Sequence, residues 1–140
     1  MIKLYTDGSF RNDQGDSICG SGYVIVDDGN IVIRKGMSST AHPVWAEMHN
    51  VGGEICAVID GIGLCIQEGI KEVVVVHDYE GVSKWVTGEW ECHREGTKIY
   101  REFMRSCKND IYVTYEKVKA HSGDRWNNEA DRLAKESIGL

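Results

Sequence analysis

Apolar and polar residues follow strand-like patterns over the first quarter of the chain. The segment KLYTDGSF, at 3–10, carries the apolar and aromatic residues that sheets favour. Next, the pattern predicts a hairpin, with strands near 22–27 and 31–36 joined by the turn sequence DGN at 28–30. These three strands are predicted to form an antiparallel meander.

The period changes at residue 44, where apolar residues begin to recur every three or four positions. This spacing continues to about residue 67 and predicts one long amphipathic helix. Four consecutive valines follow at 73–76. An uninterrupted apolar run is typical of a strand buried on both faces, as in a parallel sheet.

The rest of the chain predicts three helices and one strand. A short helix is expected at 80–86, a second helix at 97–107, a strand at 110–118 and a final helix at 124–137. The final helix is predicted to face the core with Ala130, Leu133, Ala134 and Ser137. The element order βββαβααβα implies an α/β fold, a mixed sheet flanked by helices with right-handed crossovers.

Length and composition narrow the class of protein. The 140 residues favour a single domain, 1–140. A net charge of −6 argues against binding nucleic acid through a broad basic surface, although a local basic patch stays possible. No signal peptide and no long apolar run is visible, so no membrane association is expected. Five cysteines without a C-x-x-C pair predict reduced thiols and a cytoplasmic location.

Four acidic residues lie on four different predicted elements and border the buried side of each. Asp7 interrupts the first strand, and Asp78 follows the valine strand, at the end where α/β sheets form sites. Glu54 borders the apolar stripe of the long helix, where neighbouring glycines allow close approach of the backbone. Asp131 borders the apolar stripe of the last helix.

These acids can be interpreted in two ways. If they converge, like charges raise one another's pKa, and divalent cations relieve the repulsion. Oxygen ligands without thiols suit Mg²⁺ or Mn²⁺. Alternatively, the aspartates are strand-edge residues or caps and the glutamate is solvated, and the spacing alone leaves this open.

Four motifs, in order, span nearly the whole chain. They are YTDGS at 5–9, NVGGE at 50–54, HDYEGVSKW at 77–85 and VKAHSGDRWNNEADRLA at 118–134. Together they resemble the signature of the type 1 ribonuclease H family. The stretches EGVSKWVTGEW and EGTKIYREF resemble the bacterial and viral branch that lacks a long basic protrusion.

The resemblance implies the ribonuclease H-like fold, with a five-stranded mixed sheet, and an endonuclease. The enzyme would hydrolyse the RNA strand of RNA–DNA hybrids and leave 3′-hydroxyl and 5′-phosphate ends. Two Mg²⁺ ions, replaceable by Mn²⁺, would be held by Asp7, Glu54, Asp78 and Asp131, with Asp7 bridging the pair. His121 matches the mobile loop histidine that assists proton movement and product release.

The resemblance also implies where the substrate lies. Selectivity for RNA requires reading the 2′-hydroxyl groups, for which Gly8, Ser9 and Asn50 are the candidates. Trp85 and Thr87 would line the groove for the DNA strand. Alternatively, Trp85 is an aromatic residue of the core and Thr87 is a polar residue at a helix end, and this interpretation is equally good.

Three positions depart from the family pattern. Asn128 replaces an acid that many relatives carry near the site, which reduces the local charge. His49 replaces a small polar residue, and Tyr79 replaces a serine after Asp78, so both affect predicted substrate contacts. All four carboxylates are retained.

Two alternative functions stay open at this point. The first is a nuclease of the same fold that acts on another substrate, such as double-stranded RNA or a transposition intermediate. The second is a non-catalytic binding domain in which the acids hold a structural cation. For the favoured function we expect a monomer whose partner is the hybrid, with affinity supplemented by an attached or separate nucleic-acid-binding module.

Overall fold

Five strands form one mixed sheet in the order β3-β2-β1-β4-β5. The computed structural model describes residues 1–13, 15–28, 30–119 and 124–140. The strands are β1 (Lys3–Asp13), β2 (Asp16–Val26), β3 (Val32–Thr40), β4 (Glu72–His77) and β5 (Tyr112–Lys117). The first three pair antiparallel, whereas β4 pairs parallel with both β1 and β5. The predicted mixed sheet is confirmed.

The predicted hairpin is present, and its strands are longer than expected. β2 begins six residues before the predicted start because it pairs with β1 along its full length, from Lys3 opposite Val26 to Asp13 opposite Asp16. At the other end of β2, the amide of Asn30 donates to the carbonyl of Asp27 at 2.9 Å and closes the turn.

Five helices accompany the sheet in the described residues. They are α1 (Pro43–Ala46), α2 (Asn50–Gln67), α3 (Gly81–Thr87), α4 (Glu95–Ser106) and α5 (Arg125–Glu136), and a short 3₁₀ turn (Cys107–Asn109) follows α4. No helix in the described ranges is long and apolar enough to cross a membrane.

The starts of α3, α4 and α5 differ from prediction by one or two residues, and side-chain caps set two of them. α4 begins two residues early because the Thr97 side chain caps its first turn, accepting from the amide of Arg94 at 3.3 Å. α5 begins after Asp124, whose carboxylate accepts from the amides of Trp126 and Asn127.

The prediction of one continuous helix from residue 44 to 67 is wrong, because the chain leaves helical geometry between α1 and α2. His49 has φ 59° and ψ −134°, a conformation that residues other than glycine rarely adopt. The thiol of Cys19 donates to the carbonyls of Trp45 and His49, at 3.3 and 3.1 Å. These contacts from β2 add to the backbone hydrogen bonds that the same two carbonyls accept from the Met48 and Gly53 amides, at 3.0 and 3.4 Å.

The sheet is covered on both faces, as the valine run predicts. Val73 and Val75 pack under α2, α3 and α4, with Leu4 from the neighbouring strand in the same cluster. Val74 and Val76 face the opposite side, where Trp126, Ala130 and Leu133 of α5 cover them. Of the four residues predicted to face the core from α5, three are buried and Ser137 is half-buried.

Candidate active site

Asp7 lies in β1, the central strand of the sheet. β1 and β4 run parallel, with Tyr5 beside Val76. Continuing this register by two residues puts Asp7 level with Asp78, just beyond the end of β4. The Asp7 carboxylate also accepts a hydrogen bond from the amide of Gly8 at 2.9 Å. Strand pairing alone therefore brings two of the predicted acids to the same end of the parallel pair.

Glu54 reaches this end of the parallel strands from α2 because glycines let the helix approach the sheet. A Cβ atom on Gly8 would overlap the Asn50 carbonyl oxygen and the Glu54 amide nitrogen, and one on Gly53 would overlap the Gly20 carbonyl oxygen. The hydroxyl of Ser21 donates to the Gly53 carbonyl at 2.6 Å and holds the contact. The predicted close approach of this helix is confirmed, and Glu54 is only 2% exposed.

Three of the four acids converge. One carboxylate oxygen each from Asp7, Glu54 and Asp78 all lie within 4.8 Å of one another. In the part of the chain that the structure describes, this is the one group of three or more such side chains arranged to hold a metal ion. Asp131, on α5, raises the pKa of Asp7 through its charge and lies 3.1 Å from the Lys135 ammonium nitrogen.

The carboxylates resist ionising together. Burial, followed by the charge of Asp78, raises the pKa of Asp7 to about 8, against the opposing effect of the Gly8 amide. Burial likewise raises the pKa of Glu54 well above its usual value, and Asp78 and Asp7 raise it further. Glu54 Oε2 is buried and has no hydrogen-bond partner among the described residues. Clustered carboxylates with an unpartnered oxygen fit a divalent cation.

The residues predicted to contact substrate fall into two groups. Gly8 contacts the first residue of α2, Asn50, which is exposed, and Ser9 follows on β1 with 9% exposure. Trp85 and Thr87 lie on α3. Trp85 is 9% exposed and packs in the core, and the Thr87 hydroxyl donates to the Lys84 carbonyl at 3.2 Å.

A cavity of about 370 Å³ lies beside one residue of the second group. Trp85 lines it, together with His49 and Tyr79, two of the three positions that depart from the family pattern. Asn128, the third, is exposed on α5. The substitutions at His49 and Tyr79 therefore alter the wall of this cavity, and Tyr79 directly follows Asp78 in the chain. His121 lies outside the described residues.

The sequence analysis did not single out His77, which is 1% exposed and directly precedes Asp78. Its ring Nδ1 lies 2.8 Å from the Tyr79 carbonyl oxygen. The available signal was a histidine at the end of an otherwise apolar strand. This signal is weak without knowledge of the ring's partner.

The sheet, the flanking helices and the carboxylate cluster define a metal-dependent nuclease of the RNase H-like class. The RNase H family model matches residues 1–138, and the chain belongs to this family. Members hydrolyse the RNA strand of RNA–DNA hybrids and generally depend on divalent metal ions. The predicted enzyme class is thereby confirmed.

Individual relatives match along nearly their whole length. Ribonuclease H of Wolbachia sp. subsp. Drosophila simulans (strain wRi) is 24% identical, and the match covers 98% of this chain and 94% of that protein. RNase H1 from the halophilic archaeon Halobacterium salinarum NRC-1 has the same fold, with a TM-score of 0.80, 21% identity and coverage of 98% and 96%. LC11-RNase H1, solved in complex with an RNA/DNA hybrid, superposes with a TM-score of 0.74, 18% identity and 99% coverage of both chains.

Proposed function

We propose that this chain is a type 1 ribonuclease H of the branch without a basic protrusion, with Mg²⁺ as its native ion. It cleaves the RNA strand of hybrids internally and leaves 3′-hydroxyl and 5′-phosphate ends. The observation that carries the proposal is the convergence of three carboxylates within 4.8 Å, one of which has a buried oxygen without a partner among the described residues.

The four carboxylates have distinct positions in the proposed site. Asp7 belongs to the cluster with Asp78 and Glu54, and the charge of Asp131 also raises its pKa, which supports a role as the bridging ligand of two ions. When bound, the ions supply charge neutralisation at the phosphate and an activated water. The protein contributes fixed ligand positions, since Asp7 and Glu54 are held by a paired strand and a tightly packed helix.

His121 is proposed to move protons and to help the product leave. This proposal rests on its resemblance to the family's loop histidine and on its spacing of ten residues from Asp131.

For substrate recognition, the junction of β1 and α2 is the proposed 2′-hydroxyl reader. Gly8 and Asn50 contact each other there, and Ser9 follows directly. The cavity beside Trp85 is the proposed start of the groove for the DNA strand, with Thr87 further along α3. The hybrid held by LC11-RNase H1 supports a hybrid as the ligand of this fold.

Activity assays with three substrates test the proposed function. Labelled RNA–DNA hybrid, double-stranded RNA and single-stranded RNA are each incubated with Mg²⁺, with Mn²⁺ or with EDTA. We expect the hybrid to be cut at least ~10²-fold faster than either other RNA, because only its 2′-hydroxyl pattern and shape fit the site. EDTA should abolish cleavage. Faster cutting of double-stranded RNA would favour the first alternative, and no cutting with either metal would favour a binding domain.

The structure also limits how tightly the hybrid can be held. α3 ends at Thr87 and α4 begins at Glu95, and the 3₁₀ turn leads from α4 directly to β5, so this region holds no protruding helix. Residues 86–108 carry five arginines and lysines against four glutamates, a net charge of +1. Few side chains are therefore available to neutralise phosphates.

We accordingly expect weak hybrid binding, with a dissociation constant of about micromolar and a salt slope that corresponds to roughly two to four phosphate contacts. The measurement is a titration of a fluorescent hybrid at several KCl concentrations, with Ca²⁺ in place of Mg²⁺ to limit cleavage. Double-stranded DNA of the same sequence serves as the control. Nanomolar affinity with a steep slope would contradict this prediction.

Three further proposals concern context. We expect a monomer in the cytoplasm, supplemented by an attached or separate nucleic-acid-binding module. The limited positive charge of residues 86–108 supports such a module.

A further inference from the structure

His77 forms a hydrogen-bonded bridge across the residue that carries the strand-end carboxylate. Its ring Nδ1 lies 2.8 Å from the carbonyl oxygen of Tyr79, so the bridge encloses Asp78. Its backbone carbonyl accepts from the Val118 amide at 2.8 Å, and its ring meets the Tyr115 ring edge-on at 6.1 Å. The histidine is thus fixed at the backbone and at the ring.

The hydrogen bond places a proton on one ring nitrogen. A carbonyl oxygen only accepts, so Nδ1 must carry a proton for this bond to form. Nε2 is buried and has no partner among the described residues. Burial lowers the pKa of His77, which is consistent with a neutral ring.

The bridge also bears on a second carboxylate. The backbone amide of Tyr79 acts on Glu54, whose pKa it lowers against the larger effect of burial. The Tyr79 carbonyl that His77 contacts also accepts from the Val82 amide at 3.2 Å, in the first turn of α3. The turn at 78–79 therefore links the last paired residue of β4 to α3 beside the acid of α2.

We propose that His77 is a positioning residue for the cation site: its Nδ1–H holds the 78–79 turn so that Asp78 and the Tyr79 amide keep their places beside Glu54. This inference rests on the proposed function of the carboxylate cluster. His77 does not itself touch the ions or the substrate.

Two substitutions distinguish the effect of the hydrogen bond from the effect of a side chain that only fills the core. His77→Asn keeps an amide N–H near the position of Nδ1, whereas His77→Gln places it near Nε2. We expect the glutamine variant to lose ~10-fold or more in kcat with KM for the hybrid within about twofold, since small ligand displacements act on the chemical step. The asparagine variant should retain kcat within about threefold of wild type.

Val73→Ala serves as the control for lost stability. Val73 is fully buried at the opposite end of the same strand, so its truncation should lower Tm. Its kcat, measured well below Tm, should stay at the wild-type value. If kcat falls in His77→Gln and not in Val73→Ala, the loss therefore reflects displaced site residues and not lower stability.

Two readouts do not depend on activity. The ¹⁵N NMR spectrum of the histidine side chains should show His77 with a protonated Nδ1. Calorimetric titration of chelator-treated protein with Mn²⁺ should give a Kd at least ~3-fold higher for His77→Gln than for His77→Asn, because Asp78 and Glu54 are less well placed.

An unprotonated Nδ1, or equal effects of the two substitutions on kcat and on Mn²⁺ binding, would overturn the inference. If wild-type protein cleaves no hybrid in any metal, the proposed function fails. The tautomer and the Mn²⁺ affinities still decide the role of His77 in that case.

Discussion

Asp7→Asn is expected to abolish hybrid cleavage, with a loss of at least ~10³-fold in kcat, while the protein stays folded. The loss follows from position, because Asp7 belongs to the cluster with Asp78 and Glu54 and is also influenced by the charge of Asp131. A neutral amide is a poor bridging ligand for divalent cations. Activity within tenfold of wild type would refute the bridging role.

The same substitution should raise the thermal stability of the chelator-treated protein at neutral pH. The pKa of Asp7 is raised from 3.8 to about 8, first by burial and then by Asp78. Between these two values the folded state binds more protons than the unfolded state, so wild-type stability falls as pH rises through this window. An asparagine removes that dependence. We therefore expect Tm of Asp7→Asn in EDTA to exceed that of wild type at pH 8, with a smaller difference at pH 4.

Asp110→Asn is the matched control. Asp110 is exposed and directly precedes Ile111 and β5, which runs parallel to β4. It therefore lies at the end of the sheet opposite Asp78. The same chemical change there should leave both kcat and the pH dependence of Tm unaltered. Equal gains in Tm from both variants would show that the gain reflects net charge and not the cluster.

Replacing Mg²⁺ with Ca²⁺ is expected to preserve hybrid binding and reduce cleavage by at least ~10²-fold. Ca²⁺ carries the same charge, so it can neutralise the cluster and allow the phosphate to approach. It takes more ligands at longer distances than Mg²⁺ does. Asp7 and Glu54 are held by backbone packing at Gly8 and Gly53, so the site adjusts poorly to the larger ion.

The measurement compares the hybrid Kd and the single-turnover cleavage rate in each ion after removal of residual metal by chelation. Adding Mg²⁺ back to the Ca²⁺ sample should restore cleavage and controls for inactivation. Robust turnover in Ca²⁺ would contradict a site that requires tight coordination. Loss of binding together with cleavage would show instead that Ca²⁺ does not enter the site.

Local sequence patterns were sufficient to predict most of the elements. The valine run at 73–76 predicted a doubly covered strand, and successive valines do face opposite layers. The spacing on α5 predicted its buried face, and three of its four residues are buried. These predictions succeeded because the periodicity of burial is a property of each strand or helix by itself.

The candidate acids were identified by their places on the predicted elements and then by motif order, and their convergence was decided by pairing across the sheet. Asp7 and Asp78 are 71 positions apart in the chain. They meet because β1 and β4 are parallel neighbours. The burial of Glu54 depends equally on contacts at Gly8 and Gly53, whose close packing partners are distant in sequence. The glycines in the sequence predicted a close approach of α2, but they could not establish which atoms meet.

Tertiary structure alone decided the break before α2 and the role of His77. The apolar spacing continues through residues 47–49, so periodicity predicts an unbroken helix there. The break is stabilised by Cys19, from a different strand, which donates to the carbonyls of Trp45 and His49. The proposed role of His77 likewise depends on one hydrogen bond to the Tyr79 carbonyl. Sequence determines which local geometries are favourable, but hydrogen bonds from distant strands and turns can outweigh that preference, and they exist only once the chain has folded.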